Sequence, residues 1–346
     1  MIRKLIPALA LLAGASAAPS QPADLLAPLF AADQGDTRAA ILLVDGEVVA
    51  KRYAPGYSDA NRFISWSTAK TMTAMLVGEL VADGKLQLDA PAPIAEWRKP
   101  GDPRAAITLR QLLNMASGLQ HTEVGQPVEL SDTNQVLFVS GTGDMAARAI
   151  GAPLEAKPGE KFEYSSLTTI ILAEIVTRTL TDSRDPQVRA RAYRDFALAR
   201  LYGPAGVGGV FLEFDGGGTQ IGGSLIHLPL SDFARMGQVL LTGRNLAGQE
   251  VIAPDWLAFM KTPSAQKNVY GGQTWLNAFP DDAVGQPPIA SMNGHLGQYV
   301  VTFSGVGTDG KPHGYVLVRL GNTREDRLDR VEQAIGRVVS QLVPKA

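Results

Sequence analysis

The stretch FISWSTAKTMTAMLVGELV, residues 63–81, carries the pattern on which the fold and the chemistry both depend. Its apolar side chains recur at the helical period and share one face. These residues are Met72, Met75, Leu76 and Leu80. Gly84 follows where a helix stop is expected. The sequence therefore predicts a helix over residues 63–81, with Ser65 and Ser67 near its start.

Ser67 and Lys70 are three residues apart, so their side chains lie on one face of this helix and within reach of each other. A serine is a poor nucleophile at its ordinary pKa, and a lysine accepts its proton if an apolar pocket lowers the lysine pKa. The helix N-terminus favours the developing anion, and the Ser67 N–H is placed to form half of an oxyanion hole. Ser-x-x-Lys is a weak pattern by itself, because it also occurs at Ser264 to Lys267, where no amphipathic helix follows.

Strand-forming residues lie toward both ends of the chain. The runs are Ile41–Val44, Val48–Ala50, Tyr299–Val306 and Tyr315–Leu320. Asp45-Gly46 joins the first two runs and is typical of a tight hairpin. Between roughly residues 89 and 280 the chain shows short helical patterns broken by Pro and Gly, and an amphipathic stretch covers residues 324–342. This order predicts an α+β fold, an α/β sandwich in which one sheet is built from both ends and a mainly helical lobe is inserted.

Residues 1–17 have the layout of a secretory signal: Arg3 and Lys4, an apolar run, and small residues up to Ala17. The apolar run is shorter than the roughly 20 residues needed to span a bilayer. We therefore expect an exported protein, periplasmic or secreted, without stable membrane insertion after signal cleavage. Residues 18–346 are expected to form its one mature domain.

Composition and charge exclude several classes of function. The 346 residues include no Cys, which rules out disulfides, thiolate nucleophiles and Cys-ligated zinc. The net charge of −2 comes from mixed charges without the basic stripe that nucleic acids require. The four histidines lack ligand-like spacing, and the glycine pattern at residues 305–310 enters a β segment and not a helix. We therefore expect no cofactor, no metal and no nucleic-acid partner; no pattern indicates an oligomeric state.

Two polar groups follow later in the chain. Tyr164 and Ser166 come after a turn and precede a predicted helix. A Tyr hydroxyl acts as a base only if nearby cations lower its pKa, and Lys70 is the cation expected to do so. Ser166 is expected to orient Lys70 or the substrate. Alone, a half-buried Tyr with a satisfied hydroxyl is the plainer interpretation.

The second group is His295-Leu296-Gly297-Gln298, which stands just before the strand that starts at Tyr299. Gly297 permits a substrate to approach the backbone closely. His295 is expected to donate to a substrate carbonyl or to the Tyr164 oxygen. Taken alone, a histidine in a surface loop is the plainer interpretation of this position.

Taken together, Ser67-x-x-Lys70, Tyr164-x-Ser166 and His295-x-Gly297, in this order, resemble the three motifs of the serine β-lactamase/penicillin-binding superfamily. The resemblance covers nearly all of the mature chain and includes the surroundings Ile64–Lys70, Leu112–Leu119, Pro158–Ser166 and Gly222–Ser224. The chain looks most like the class C β-lactamase branch, which includes esterases, D-aminopeptidases and 6-aminohexanoate-dimer hydrolases. The resemblance implies a five-stranded antiparallel sheet flanked by N- and C-terminal helices, with a helical lobe and the site between them.

The resemblance also implies roles: Ser67 is acylated, Lys70 and Tyr164 move protons, and the N–H groups of Ser67 and Gln298 hold the oxyanion. The sequence departs from the β-lactamase pattern where His295 replaces the usual Lys and Ser166 the usual Asn. A neutral His offers less charge for a substrate carboxylate, which disfavours a β-lactam substrate.

The predicted function is an exported serine hydrolase of small esters or amides, similar to an esterase or a 6-aminohexanoate-dimer hydrolase. A class C-like β-lactamase or D-peptidase is the alternative within this chemistry. An alternative of another class is a penicillin-binding or cell-wall-sensing protein that acylates without turnover. Loops around residues 121–140 and 270–288 are expected to select the substrate.

Overall fold

The computed structural model of the chain describes residues 24–32, 35–277 and 288–344. The predicted signal at residues 1–17 lies outside the described residues, as does part of the predicted substrate loop at 270–288. Among the described residues, none of the helices combines the length and apolar character that crossing a membrane would require.

The strands come from both ends of the chain, as the sequence predicts. They are β1 (Thr37–Val44), β2 (Glu47–Tyr53), β3 (Phe63–Ile64), β4 (Phe211–Leu212), β5 (Ile226–Leu228), β6 (Trp275–Leu276), β7 (Ile289–Gly294), β8 (Gln298–Val306) and β9 (Pro312–Gly321). The main sheet is antiparallel, with the order β2-β1-β9-β8-β7-β6, and β3, β5 and β4 form a small second sheet. The described main sheet thus has six strands where five were predicted, because the two-residue β6 adds to its edge.

The helices lie mainly between the two groups of strands. They are α1 (Ala69–Ala82), α2 (Leu109–Leu113), α3 (Asp132–Asn134), α4 (Met145–Gly151), α5 (Ser166–Leu180), α6 (Pro186–Ala197), α7 (Leu230–Thr242), α8 (Pro254–Met260) and α9 (Leu328–Leu342). The predicted α+β fold, with an antiparallel sheet and an inserted helical lobe, is confirmed. The boundaries at residues 18–346 and roughly 89–280 stay predictions.

The predicted hairpin forms at Asp45-Gly46. Both residues have positive φ, 50° and 86°, which is the backbone of a tight turn between twisted strands. Val44 therefore pairs with Glu47 across the turn.

The predicted helix over residues 63–81 begins later than expected. Phe63 and Ile64 form β3, a 3-10 turn covers Trp66–Thr68, and α1 starts at Ala69. The reason lies at Trp66, whose φ of 45° turns the chain out of the helical path. At the other end α1 stops at Ala82, just before Gly84, whose φ is 71°.

Two apolar layers hold the sheet, one on each face. Along β1, Ala39, Ile41 and Leu43 pack toward the helical lobe and α1. Ala40 and Leu42, which alternate with them, pack against α9. Because α1 lies between the sheet and the lobe, its residues 69–80 are buried on every side. The N-terminus of this buried helix is therefore held firmly.

Candidate active site

The turn before α1 fixes the position of Ser67. Trp66 has a left-handed backbone, which costs a residue with a Cβ roughly 1–2 kcal/mol and persists only where neighbours impose it. Ser65 is such a neighbour: it is buried, and its hydroxyl donates to Ser224 O at 3.0 Å and accepts from Ile226 N at 3.1 Å. Ser67 is consequently presented half-buried on the wall of a cavity.

Lys70 lies one turn further on, with its ammonium group inside the protein. Its side chain is 1% exposed. Nζ lies 2.9 Å from Ser67 Oγ, 2.8 Å from Ser166 Oγ and 2.8 Å from Gly223 O. The structure therefore brings the first and second predicted motifs together around one amine.

Burial lowers the pKa of Lys70 to about 8, against an attraction from Glu123 that raises it. The neutral amine is therefore far more abundant near neutral pH than for a surface lysine. A neutral amine beside a serine hydroxyl is the arrangement that nucleophile activation requires.

Tyr164 adjoins this pair, although not in the predicted way. Lys70 Nζ lies 5.0 Å from the centre of the Tyr164 ring, so the cation faces the ring. Burial and the charge of Glu123 raise the pKa of Tyr164 above its usual value, and polar interactions with Ser67 and Trp275 oppose that shift only in part. The prediction that Lys70 lowers the pKa of Tyr164 is wrong, because loss of solvation outweighs any nearby cation. Tyr164 is therefore a neutral phenol near neutral pH.

A carboxylate that the sequence did not single out completes the polar cluster. Glu123 accepts hydrogen bonds from Ser166 Oγ at 2.7 Å and from Ser166 N at 2.6 Å. Its second oxygen also accepts from Thr133 Oγ1 at 2.6 Å. Ser166 is the first residue of α5, so the carboxylate sits at the positive end of a 15-residue helix.

The third motif lies at the rim of the same cavity. His295 is 45% exposed at its side chain, packs edge-to-face on Trp66 with ring centres 5.3 Å apart, and pairs with Glu325 at 3.2 Å. The structure thus places the predicted donor against Trp66 and Glu325. Its donation to a substrate carbonyl or to the Tyr164 oxygen stays a prediction.

Gly297 and Gln298 turn the chain from this rim into β8. Gly297 has a φ of 79°, and its carbonyl accepts from the fully buried Arg319 at 2.7 Å. The Gln298 side chain donates to His295 O at 3.1 Å and to Gly321 O at 2.8 Å. These contacts hold the turn; the role of the Gln298 N–H in an oxyanion hole stays a prediction.

The cavity on whose wall Ser67 lies has a volume of about 280 Å³. Its described lining includes Ser67, Ser166 and His295 together with apolar side chains of the segment 124–138. The segment lies within the first of the two loops that the sequence analysis associates with substrate choice. Neither Lys nor Arg is among the described residues that line the cavity, whereas Glu123 and Glu325 are.

Three parts of the site escape sequence reasoning. Glu123 lies in an irregular loop, 43 residues before Ser166, and no spacing signals their contact. Arg319 sits within a strand pattern, where a long charged side chain is ordinarily read as facing solvent. Gly223 O acts through the backbone; its only signal is the Gly222–Ser224 surroundings that match the family.

Within the described residues, no group of three or more His, Asp or Glu side chains is arranged to hold a metal ion.

Comparison with known proteins gives a consistent result. The profile of the Beta-lactamase family matches residues 24–336. The chain is 24% identical over 253 residues to the 6-aminohexanoate-dimer hydrolase of Paenarthrobacter ureafaciens. The matched residues cover 71% of this chain and 62% of that protein. The chain therefore spans less than two thirds of the length of this relative.

Two solved structures show the same fold. A family VIII carboxylesterase superposes with a TM-score of 0.62 at 17% identity, over 91% of this chain and 96% of that one. A penicillin-binding protein homologue from Caulobacter crescentus superposes with a TM-score of 0.64 at 17% identity, over 92% and 96% of the two chains.

Proposed function

Because the chain belongs to the beta-lactamase family, we propose that it hydrolyses small esters or amides through an acyl-enzyme on Ser67. The observation that carries this proposal is the buried Lys70 amine at 2.9 Å from the Ser67 hydroxyl. Burial brings the pKa of this amine to about 8, which lets it act as a base near neutral pH. We propose this reaction only for the site that the present chain forms.

Acylation begins when Ser67 Oγ attacks the substrate carbonyl and its proton moves to neutral Lys70. The N–H groups of Ser67 and Gln298 receive the oxyanion. The bond to the leaving group then breaks as that group takes a proton through the Tyr164 hydroxyl. Water cleaves the acyl-enzyme, which releases the acid and restores the Ser67 hydroxyl.

Tyr164 performs its part without becoming a stable phenolate. Its raised pKa keeps the proton on the phenol, so it passes one proton on as it accepts another from the Ser67–Lys70 pair. Ser67 is close enough to Tyr164 to influence the pKa of its hydroxyl, and the proton transfer runs between these two groups.

The walls of the cavity favour substrates without a carboxylate. Anionic Glu123 and Glu325 lie on the lining, which contains no Lys or Arg among the described residues. Val124, Val128 and Phe138 are each more than half exposed beside them, and an acyl or alkyl group would cover this apolar surface. A β-lactam or a peptide C-terminus carries a carboxylate that needs a cation, which supports an esterase or amidase over a β-lactamase or D-peptidase.

A panel of matched substrates tests this function. We expect turnover of p-nitrophenyl hexanoate to exceed that of the p-nitrophenyl adipate half-ester, which has the same chain length and a terminal carboxylate, by at least about tenfold in kcat/KM. Nitrocefin turnover is expected to be slower still. Preference for the half-ester or for nitrocefin would contradict the substrate assignment, and stable labelling without turnover would favour a penicillin-binding or sensing protein.

Export is part of the proposal and rests on the signal-like pattern of residues 1–17. Expression of the full chain in a Gram-negative host should give a periplasmic protein whose N-terminus, measured by mass spectrometry, lies near Ala18. An uncleaved chain in the cytosolic fraction would contradict export and leave the chemistry untouched.

A further inference from the structure

The direction of the hydrogen bonds around Lys70 can be worked out from its partners. Gly223 O only accepts. The Ser166 hydroxyl has one proton, which it donates to Glu123 Oε1 at 2.7 Å, so toward Lys70 it also accepts. A neutral Lys70 therefore directs its two protons to Gly223 and Ser166, and its lone pair is left facing Ser67 Oγ.

Glu123 determines this arrangement, because a carboxylate oxygen only accepts. Without it, the Ser166 hydroxyl is free to turn and donate its proton to the Lys70 lone pair, which would take the base away from Ser67. Three contacts keep the carboxylate in place. They come from Ser166 N, Ser166 Oγ and Thr133 Oγ1.

The loop backbone is fixed as well. Ser131 Oγ donates to Glu123 O at 2.6 Å and also accepts from Asn134 N at 3.0 Å, which caps the short helix α3. The carboxylate is thus held at both its backbone and its side chain.

We propose that Glu123 is a positioning residue for acylation: by accepting the Ser166 proton it aims the lone pair of neutral Lys70 at Ser67, and its charge stabilises the ammonium that forms. This inference rests on the proposed function of Ser67 and Lys70. In the step itself the Ser67 proton moves to Lys70 Nζ as the Oγ–carbonyl bond forms. Ser166 and Glu123 exchange no proton and keep their hydrogen bond throughout.

Two titratable groups act on Lys70 from the elements packed against it. Glu123 attracts its ammonium form from the loop after α2, and the neutral Tyr164 ring faces Nζ from the segment before α5. Removing the charge of Glu123 therefore leaves the ammonium less stable, and Lys70 loses its proton at lower pH.

The test uses Glu123→Gln, which has the shape of Glu123 without its charge and adds an N–H₂ donor. The rate of Ser67 acylation by p-nitrophenyl hexanoate would be followed against pH. The acid limb is the part of the pH–rate profile in which the rate rises as Lys70 loses its proton, and we expect its midpoint to move down by about one pH unit. The plateau rate at high pH is expected to fall by about tenfold or more. KM is expected to change less than about threefold. Glu325→Gln removes the other carboxylate of the cavity lining and is expected to leave the acid limb in place.

Coupling to Ser166 separates this role from a structural one. Ser166→Ala removes the hydroxyl that, without Glu123, would donate its proton to the lone pair of Lys70 Nζ. If Glu123 acts through Ser166, Glu123→Gln should slow the Ser166→Ala enzyme by much less than it slows the wild type. Additive losses, or an unmoved acid limb in a folded Glu123→Gln, would overturn the inference.

The outcomes remain distinguishable from failure of the proposed function. If the wild type shows no acylation of Ser67, the proposed function fails first. If the wild type acylates and Glu123→Gln behaves identically, only the role of Glu123 fails. Should Glu123→Gln not fold, Glu123→Ala admits water beside Ser166 and carries the same expected shift of the acid limb.

Discussion

The titration of Lys70 gives the sharpest prediction of the proposed mechanism. With a pKa of about 8, Lys70 is neutral in about a tenth of the molecules at pH 7 and in about nine tenths at pH 9. Since only the neutral amine accepts the Ser67 proton, the acylation rate should rise about tenfold between these pH values and then level off. A lysine with an ordinary pKa would give a rise of about a hundredfold over the same interval, still continuing at pH 10.

The assay is the pre-steady-state release of p-nitrophenol from p-nitrophenyl hexanoate, corrected at each pH for spontaneous hydrolysis of the ester. Lys70→Ala should give a low rate with no acid limb near pH 8, which assigns the limb to this side chain. A wild-type rate that still rises more than about fivefold between pH 9 and pH 10 would refute the reasoning, because burial would then not have lowered the pKa of the acting base.

Three further predictions concern the surroundings of the site. Tyr164→Phe keeps the ring that Lys70 faces and removes the hydroxyl. The value of kcat should therefore fall by about a hundredfold, while the melting temperature stays within a few degrees. An unchanged kcat would argue against proton transfer by Tyr164. Gly78→Ala places a Cβ against the Trp256 indole and should lower the free energy of unfolding in urea by about 1–3 kcal/mol, whereas Gly151→Ala, also in a helix but facing open space, should not destabilise. Arg319→Met removes the donor to Gly297 O and should slow acylation about tenfold or more. Stopped-flow acylation rates equal to those of the wild type would show that the turn at Gly297 keeps its conformation without Arg319.

The predictable part of the site comprised residues near one another in sequence and the motifs that the family resemblance joins. Ser67 and Lys70 meet because helical geometry brings positions three apart together, and Asp45-Gly46 forms the predicted hairpin because few other dipeptides adopt its backbone. Such local rules do not depend on the rest of the fold. They fail at Trp66, where packing of the buried Ser65 imposes a left-handed residue on a helical pattern.

The contact between Glu123 and Ser166 could not be predicted from the chain. Glu123 reaches Ser166 only because the loop after α2 folds over the start of α5, and nothing in its sequence marks that meeting. The pKa of Tyr164 was misjudged for a related reason: proximity to Lys70 was inferred from motif order, whereas the degree of burial, which decides the shift, is a property of the whole fold. The added strand β6 is two residues long, too short for a periodic signal.

The nucleophilic role of Ser67 is the central claim, and the mass of the intact protein tests it most directly. The wild type, Ser67→Ala and the matched control Ser264→Ala, which alters the second Ser-x-x-Lys sequence, would each be incubated with an alkyl fluorophosphonate. We expect one adduct per chain on the wild type and on Ser264→Ala, with none on Ser67→Ala. An adduct that persists on Ser67→Ala, or no adduct on any of the three, would contradict the account.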